Sequence, residues 1–225
     1  MAAPNVVALD LPGNGQFYAQ RSPCSVQAMV AHCRKQLAQQ NIAPPYGVLA
    51  MSLGAMVSAA WGQACPQEVA AQVLINTSMR PFSPFYQRLR PANYGALLQL
   101  LALGASALEW ERAVLRLTSQ RADSAVLPAW LAIRSQRPVF RANAVRQLIA
   151  AARFRAASTA PPMPVLVLAS QQDQLVNMQC SVALAKQWQC AVRVHSHAGH
   201  DLPLDDGPWV IAQVKQWLTA VNTAV

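Results

Sequence analysis

Acidic side chains are scarce in this chain. Nine Asp and Glu stand against eighteen Lys and Arg, and charged residues of either sign make up 12% of 225 positions while 53% are hydrophobic. So little charge on so apolar a chain excludes a disordered polymer and predicts a buried core, which this length can house in one domain with an insertion. No run approaches the ~20 apolar residues that span a bilayer. The most lipid-like stretch, Leu97 to Leu108, is broken by Gln99 and Ser106. The opening Met1-Ala2-Ala3-Pro4-Asn5 lacks a basic segment followed by an apolar one and does not read as a secretory leader. The five cysteines (Cys24, Cys33, Cys65, Cys180, Cys190) contain no C-x-x-C pair. Their odd number and irregular spacing predict neither a disulfide framework nor a zinc site, and a reducing, cytoplasmic compartment is expected. Internal repeats and low-complexity tracts are lacking too. So is any aromatic-plus-basic motif that would read nucleic acid, despite an isoelectric point near 10.0.

The charge that is present is unevenly placed. Twelve arginines lie between Ser78 and Ala157, opposed only by Glu109, Glu111 and Asp123, and this segment carries the whole net charge of +9. The remaining residues hold six basic and six acidic side chains. Such a segment reads either as helices with solvated arginine-rich faces or as a surface that attracts an acidic partner or an anionic substrate.

In chain order, Val6-Val7-Ala8-Leu9 is a short apolar run stopped by Asp10-Leu11-Pro12-Gly13-Asn14-Gly15, and predicts a strand and a loop. Ser25 to Gln40 carries apolar residues at Val26, Met29, Val30, Cys33 and Leu37, the spacing of an amphipathic helix with Ser25 as N-cap. Tyr46 to Ala50 predicts a strand, Ala55 to Trp61 a helix and Val73 to Asn76 another strand. Strand and helix in alternation favour a parallel sheet. From Ser78 to Thr159 the β-branched runs stop, and Leu, Ala, Arg and Gln at helical spacings predict several helices joined at Pro91, Pro128 and Pro138. The α/β pattern resumes with strands at Val165–Ala169 and Ala191–His195, and helices at Ser181–Gln189 and Trp209–Ala220. The organisation expected is therefore 1–77 and 160–225 as two parts of one α/β core, with 78–159 inserted between them.

The chain's chemistry centres on Ala50-Met51-Ser52-Leu53-Gly54, a tight turn from strand to helix with a serine at its apex. Small residues two positions either side of Ser52 leave room for so sharp a turn. The Leu53 N–H opens a helix and can stabilise a developing oxyanion. The stretch approaches the G-x-S-x-G elbow with Ala50 in the first glycine position; alone it fits an ordinary strand-to-helix connection equally well. Ligands of open α/β sheets bind at the carboxyl ends of the strands, and three side chains that suit acyl transfer fall in such loops: Ser52, Asp173 and His200. A serine hydroxyl needs a base to take its proton, neutral imidazole can do so, and a carboxylate on the other ring nitrogen fixes the tautomer. Alternatives remain: Ser52 as a turn residue, His200 as a cap of the last helix, Asp205 or Asp206 as the partner of His200. His195, His197 and His32 read as surface, packing or structural residues, and no metal is assigned. Trp110, Trp130 and the Leu97–Leu108 stretch read as filling a local core in preference to a substrate box.

Asp10 to Gly15, Ala50 to Gly54, Val165 to Asp173, and Gly199-His200-Asp201 with the final helix together resemble the α/β-hydrolase superfamily in its capped, esterase/lipase-like branch. The likeness spans almost the whole chain in order and spacing. It implies Ser52 as nucleophile, His200 as general base, Asp173 as orienting acid, and a helical cap at 78–159 over the site. It further implies a cofactor-free serine hydrolase of carboxylic esters or thioesters; the arginine excess of the cap adds the expectation that the acyl substrate, if not a small molecule, is presented by an acidic carrier or an anionic surface. A non-catalytic scaffold, or a haloperoxidase, C–C hydrolase or acyltransferase, shares the same frame. The chain departs from the family pattern before Asp10: only nine residues precede it, and the His-Gly-type turn that supplies a second oxyanion donor is lacking. The N-terminal strands are thus expected to be missing, including one between the Val6–Leu9 and Ala50 strands. At ~10 residues or more per crossover, roughly 35–45 further residues are expected upstream.

Overall fold

Four apolar runs pair into a parallel sheet in the computed structural model, which describes residues 6–102, 105–121 and 125–223. The strands are β1 (Tyr46–Met51), β2 (Val69–Ile75), β3 (Val165–Ser170) and β4 (Ala191–His195), and they lie side by side in chain order. Register runs from Ala50↔Leu74 through Leu74↔Val167 to Val167↔Val192. β3 is buried at every position, the pattern of a strand covered on both faces.

Alternation along the strands sends side chains to two cores. Leu74, Val165 and Val167 face α1 (Val26–Gln39), α2 (Leu53–Ala64) and α8 (Gln179–Trp188), where Met29, Trp61 and Leu184 pack. Val73, Ile75, Leu166 and Leu168 face α9 (Leu202–Thr223), against Leu202, Val210 and Trp217. Ser25 caps α1 as expected, its Oγ accepting from Ala28 N at 3.4 Å. α9 begins earlier than its apolar spacing suggests, because it is two helical pieces joined at Asp206, which has non-helical φ and ψ. The Asp206 carboxylate accepts from Trp209 N at 3.0 Å and restarts the helix ahead of its apolar face.

Between β2 and β3 lie α3 (Phe85–Arg88), α4 (Tyr94–Ala102), α5 (Ala107–Thr118), α6 (Val126–Gln136) and α7 (Arg141–Arg153). Ser106 and Glu109 close a reciprocal capping box on α5. Pro91 and Pro138 stand between helices as expected, but Pro128 does not: it sits in the first turn of α6, where a missing N–H costs nothing because that donor has no intrahelical acceptor. Asp123 lies outside the described residues.

One expected strand does not form. Val6–Leu9 has no strand assignment. Val7, Leu9 and Leu11 still pack against the core through their side chains. β1 is the edge of the sheet, so the run has no neighbouring backbone ladder, and an extended segment becomes a strand only when another pairs with it. Leu49, on the edge strand, is 53% exposed. No helix among the described residues is long and apolar enough to cross a membrane.

Candidate active site

Ser52, Asp173 and His200 sit at the carboxyl ends of β1, β3 and β4. Ser52 occupies the turn from β1 into α2 with φ 52° and ψ −116°, a conformation that costs a non-glycine residue on the order of 1–3 kcal/mol. The turn is held from three directions: Ser52 N donates to Ile75 O at 2.9 Å, and Ser52 O accepts from Met56 N at 3.3 Å and from Thr77 Oγ1 at 3.1 Å. Leu53 is the first residue of α2, so its N–H has no acceptor within the helix.

Asp173 and His200 are 1% and 3% exposed. Asp173 Oδ2 lies 2.7 Å from His200 Nδ1. The other oxygen, Oδ1, accepts from Leu175 N and Val176 N at 2.8 Å each. A carboxylate so satisfied has one oxygen left for the ring, which places the proton on Nδ1 and leaves Nε2 as the basic nitrogen. Among the described residues no hydrogen bond joins Ser52 Oγ to the His200 ring; in resting nucleophile–base pairs this contact is commonly long and tightens when substrate binds.

The other acids near His200 are engaged elsewhere. Asp205 accepts from Gly199 N at 2.6 Å and from Gln120 N, and binds Ser119 Oγ. Asp206 faces His195 Nε2 at 3.1 Å, and His195 Nδ1 in turn accepts from Ala198 N at 2.8 Å. His195 therefore shapes the loop that carries His200. Asp201 accepts from Leu204 N at 3.3 Å, and burial raises its pKa. His32 stacks edge-on to Phe17 with ring centroids 4.6 Å apart, far along the chain from this cluster. Among the described residues no group of three or more His, Cys, Asp or Glu could hold a metal ion. Burial pushes the Cys33 and Cys190 thiols up to about 11, so neither is a nucleophile near neutrality.

Two consecutive residues that the sequence pattern left unmarked tie the site together. Asn76 is 2% exposed; its Nδ2 donates to His200 O at 2.7 Å and Ser170 Oγ at 2.9 Å, and its Oδ1 accepts from Ser170 N at 2.8 Å. Thr77 holds the Ser52 carbonyl. The end of β2 thus grips the serine turn on one side and the histidine loop on the other. The available signal was an Asn directly after a buried strand; here it takes φ 44°, a conformation Asn tolerates better than most residues. Gly199 allows the helical segment to dock on this loop, since a Cβ there would stand 2.9 Å from Thr118 O.

Above Ser52 opens a cavity of about 1100 Å³. Leu97, Leu100, Leu101, Trp110 and Leu148 help to line it. The Leu97–Leu108 stretch and Trp110 were expected to fill a local core; Leu97, Leu100, Leu101 and Trp110 instead line this cavity, because α4, α5 and α7 pack around it and not onto one another throughout, while Leu98 is exposed. Trp110 is further braced by the Arg134 guanidinium, 5.1 Å from the ring centroid. Trp130 is not part of the lining.

Solved structures with this fold include an enol-lactonase from Burkholderia xenovorans LB400 (TM-score 0.73, 16% identity, 93% of this chain and 79% of that one). A thermophilic esterase from Thermogutta terrifontis matches with TM-score 0.69 and 19% identity over 94% of this chain and 78% of that one. A Mycobacterium tuberculosis H37Rv protein, BpoC, provisionally classed as a non-heme bromoperoxidase, matches with TM-score 0.73 and 20% identity over 94% and 80%. At such identities the likeness shows the fold. A search of curated protein sequences returns no match. The family model described as serine aminopeptidase, S33, matches residues 4–207. With that match over most of its length and with these α/β-hydrolase neighbours, the chain belongs to the S33 serine aminopeptidase-like family of α/β-hydrolases.

Proposed function

We propose that this protein is a serine hydrolase of carboxylic esters or thioesters that works through an acyl-enzyme. The observation that carries the reading is the buried Asp173–His200 pair at the same end of the sheet as a serine in a strained turn that lines an apolar cavity. Ser52 Oγ attacks the carbonyl carbon while His200 Nε2 takes its proton. Asp173 keeps the ring in the tautomer that can do so and stabilises the imidazolium formed. The Leu53 N–H, fixed at the start of α2, donates to the oxyanion. Collapse of the tetrahedral adduct returns the proton from His200 to the departing alcohol or thiol. Water then repeats the cycle on acyl-Ser52 and releases the acid. No cofactor enters these steps.

The family description names aminopeptidases, whose substrates carry a free ammonium group that a carboxylate would bind. Among the described residues that line this cavity there is no Asp or Glu, but there are three arginines, which favours esters over peptide N-termini. The 78–159 segment serves in this reading as the cap over the site, and its arginine excess draws in an acidic partner such as a carrier that presents the acyl chain. A panel of p-nitrophenyl esters and thioesters of increasing acyl length tests the activity: turnover that Ser52→Ala abolishes is expected, and turnover that survives the substitution refutes it. A carrier-presented substrate should lose rate steeply with added salt; a salt-independent rate contradicts the acidic partner.

A further inference from the structure

Three arginines meet at one wall of the cavity. Arg80, from the loop after β2, and Arg155, just after α7, are bridged to each other in parallel register through their backbones, and Ala156 N donates to Arg80 O at 2.7 Å. Arg88, on α3, lines the same cavity. Its terminal nitrogens donate to Ala151 O at 2.6 Å and Ala152 O at 3.3 Å, near the end of α7, while its Nε is buried without a hydrogen-bond partner. Ser83, 5% exposed on this wall, has the Cys180 thiol as its side-chain hydrogen-bonding neighbour. Among the described residues the Arg80 and Arg155 side chains make no hydrogen bond or ion pair. Like charges held together without a counter-charge repel; burial first, and the Arg80 charge second, lower the Arg88 pKa. Arg88 satisfies carbonyls at the end of α7, but among the described residues no such bond accounts for the Arg80 and Arg155 side chains, and an oxyanion at the wall would relieve the repulsion.

We propose that Arg80, Arg88 and Arg155, with Ser83, form a site for a carboxylate or phosphate group borne by the ligand. Guanidinium forks bind such planar or tetrahedral oxyanions directly. The leucines of α4 and α7 take the apolar body, and a cavity of about 1100 Å³ holds both parts of a small-molecule ligand. The substrate class, which unlike the site itself rests on the serine hydrolase reading, becomes an amphiphilic ester with a second, free anionic group, such as the half-ester of a dicarboxylic acid.

Binding to the Ser52→Ala protein tests the site without requiring turnover. Calorimetry would compare octanedioic acid monoamide with the neutral diamide, and octyl phosphate with octanol. The anionic member of at least one pair is expected to bind about 10-fold tighter at low salt, a margin that one charge-assisted contact supplies and that salt reduces. Preference within the carboxylate pair assigns a carboxylate ligand, and within the phosphate pair a phosphorylated one. In the Arg80→Gln/Arg155→Gln double variant, both positions being exposed, the margin should collapse; Arg88→Met adds a second check, read beside its melting curve. Equal binding of charged and neutral members, or a preference untouched by the double variant, overturns the proposal. An intact anion preference in a wild-type protein that turns over no ester would instead refute the hydrolase reading and leave the site standing.

Discussion

Replacing Asp173 by Asn separates orientation from folding. The side chain is 1% exposed, and its two oxygens are used differently. Oδ1 takes two backbone N–H groups at 2.8 Å, and Oδ2 faces His200 Nδ1 at 2.7 Å. An asparagine keeps the shape and the acceptor for Leu175 and Val176, so it must turn its NH₂ toward the ring. Nδ1 is then forced to accept, the proton moves to Nε2, and the nitrogen meant to deprotonate Ser52 has no lone pair to offer. A wrong tautomer of this kind costs on the order of 10⁴ in kcat, with little change in unfolding free energy. Asp173→Ala behaves differently: it strands two amides and the imidazole, each costing about 1–3 kcal/mol, against a total stability of about 5–15 kcal/mol for a typical domain. Ester turnover with urea unfolding on both variants checks the pair. An Asn variant that keeps more than about a tenth of wild-type activity refutes the orienting role, since that loss is under 1.4 kcal/mol.

Ser52→Gly should abolish ester turnover yet stabilise the fold, because glycine relieves the positive φ; a gain of about 1 kcal/mol raises Tm by about 2–4 °C, and a lowered Tm contradicts the strain. Asn76→Ala should lower both Tm and kcat, since it frees the His200 loop from β2, leaving buried groups unpaired at about 1–3 kcal/mol each; unchanged kcat in folded protein refutes a positioning role. The Arg34 guanidinium beside Glu68, with a bond from Trp61 Nε1 at 2.8 Å and against the opposing effect of burial, holds the Glu68 carboxyl below its usual 4.5. A lowered folded pKa adds stability that is complete above 4.5 and disappears as the pH falls below it toward the folded value. Glu68→Gln should therefore be less stable at pH 7 and lose less stability on acidification, and chemical unfolding at pH 3 to 7 would show an unchanged slope if the linkage were wrong.

Much of the core was legible because its signals are local. β1, β3 and β4 are each centred on aliphatic residues, Val48-Leu49, Val165–Leu168 and Val192 with Val194, and the spacing of Met29, Val30, Cys33 and Leu37 fits a helix. Strand formation at Val6–Leu9 was not legible, since it depends on a partner and not on the run itself. β2 begins at Val69, ahead of its apolar stretch, and includes Gln72, fully buried, whose Nε2 donates to the Ser58 carbonyl; a polar residue held by another element leaves no mark on local periodicity. Leu97, Leu101 and Trp110 show the same limit in the inserted helices. An apolar face says that a side is covered from water, not whether another helix or a cavity covers it. For the site, loop position and chain order singled out Ser52, Asp173 and His200, while Asn76, Thr77 and the convergence of Arg80 on Arg155 come from contacts between segments distant in sequence.

The mechanism depends above all on Ser52 being an activated nucleophile. Labelling with a fluorophosphonate probe tests it most directly, because reaction requires a deprotonatable serine and an oxyanion donor but no knowledge of the substrate. One adduct is expected, located at Ser52 by peptide mapping and lost in Ser52→Ala. Well-folded protein that takes up no probe, or an adduct on any other residue, would contradict it.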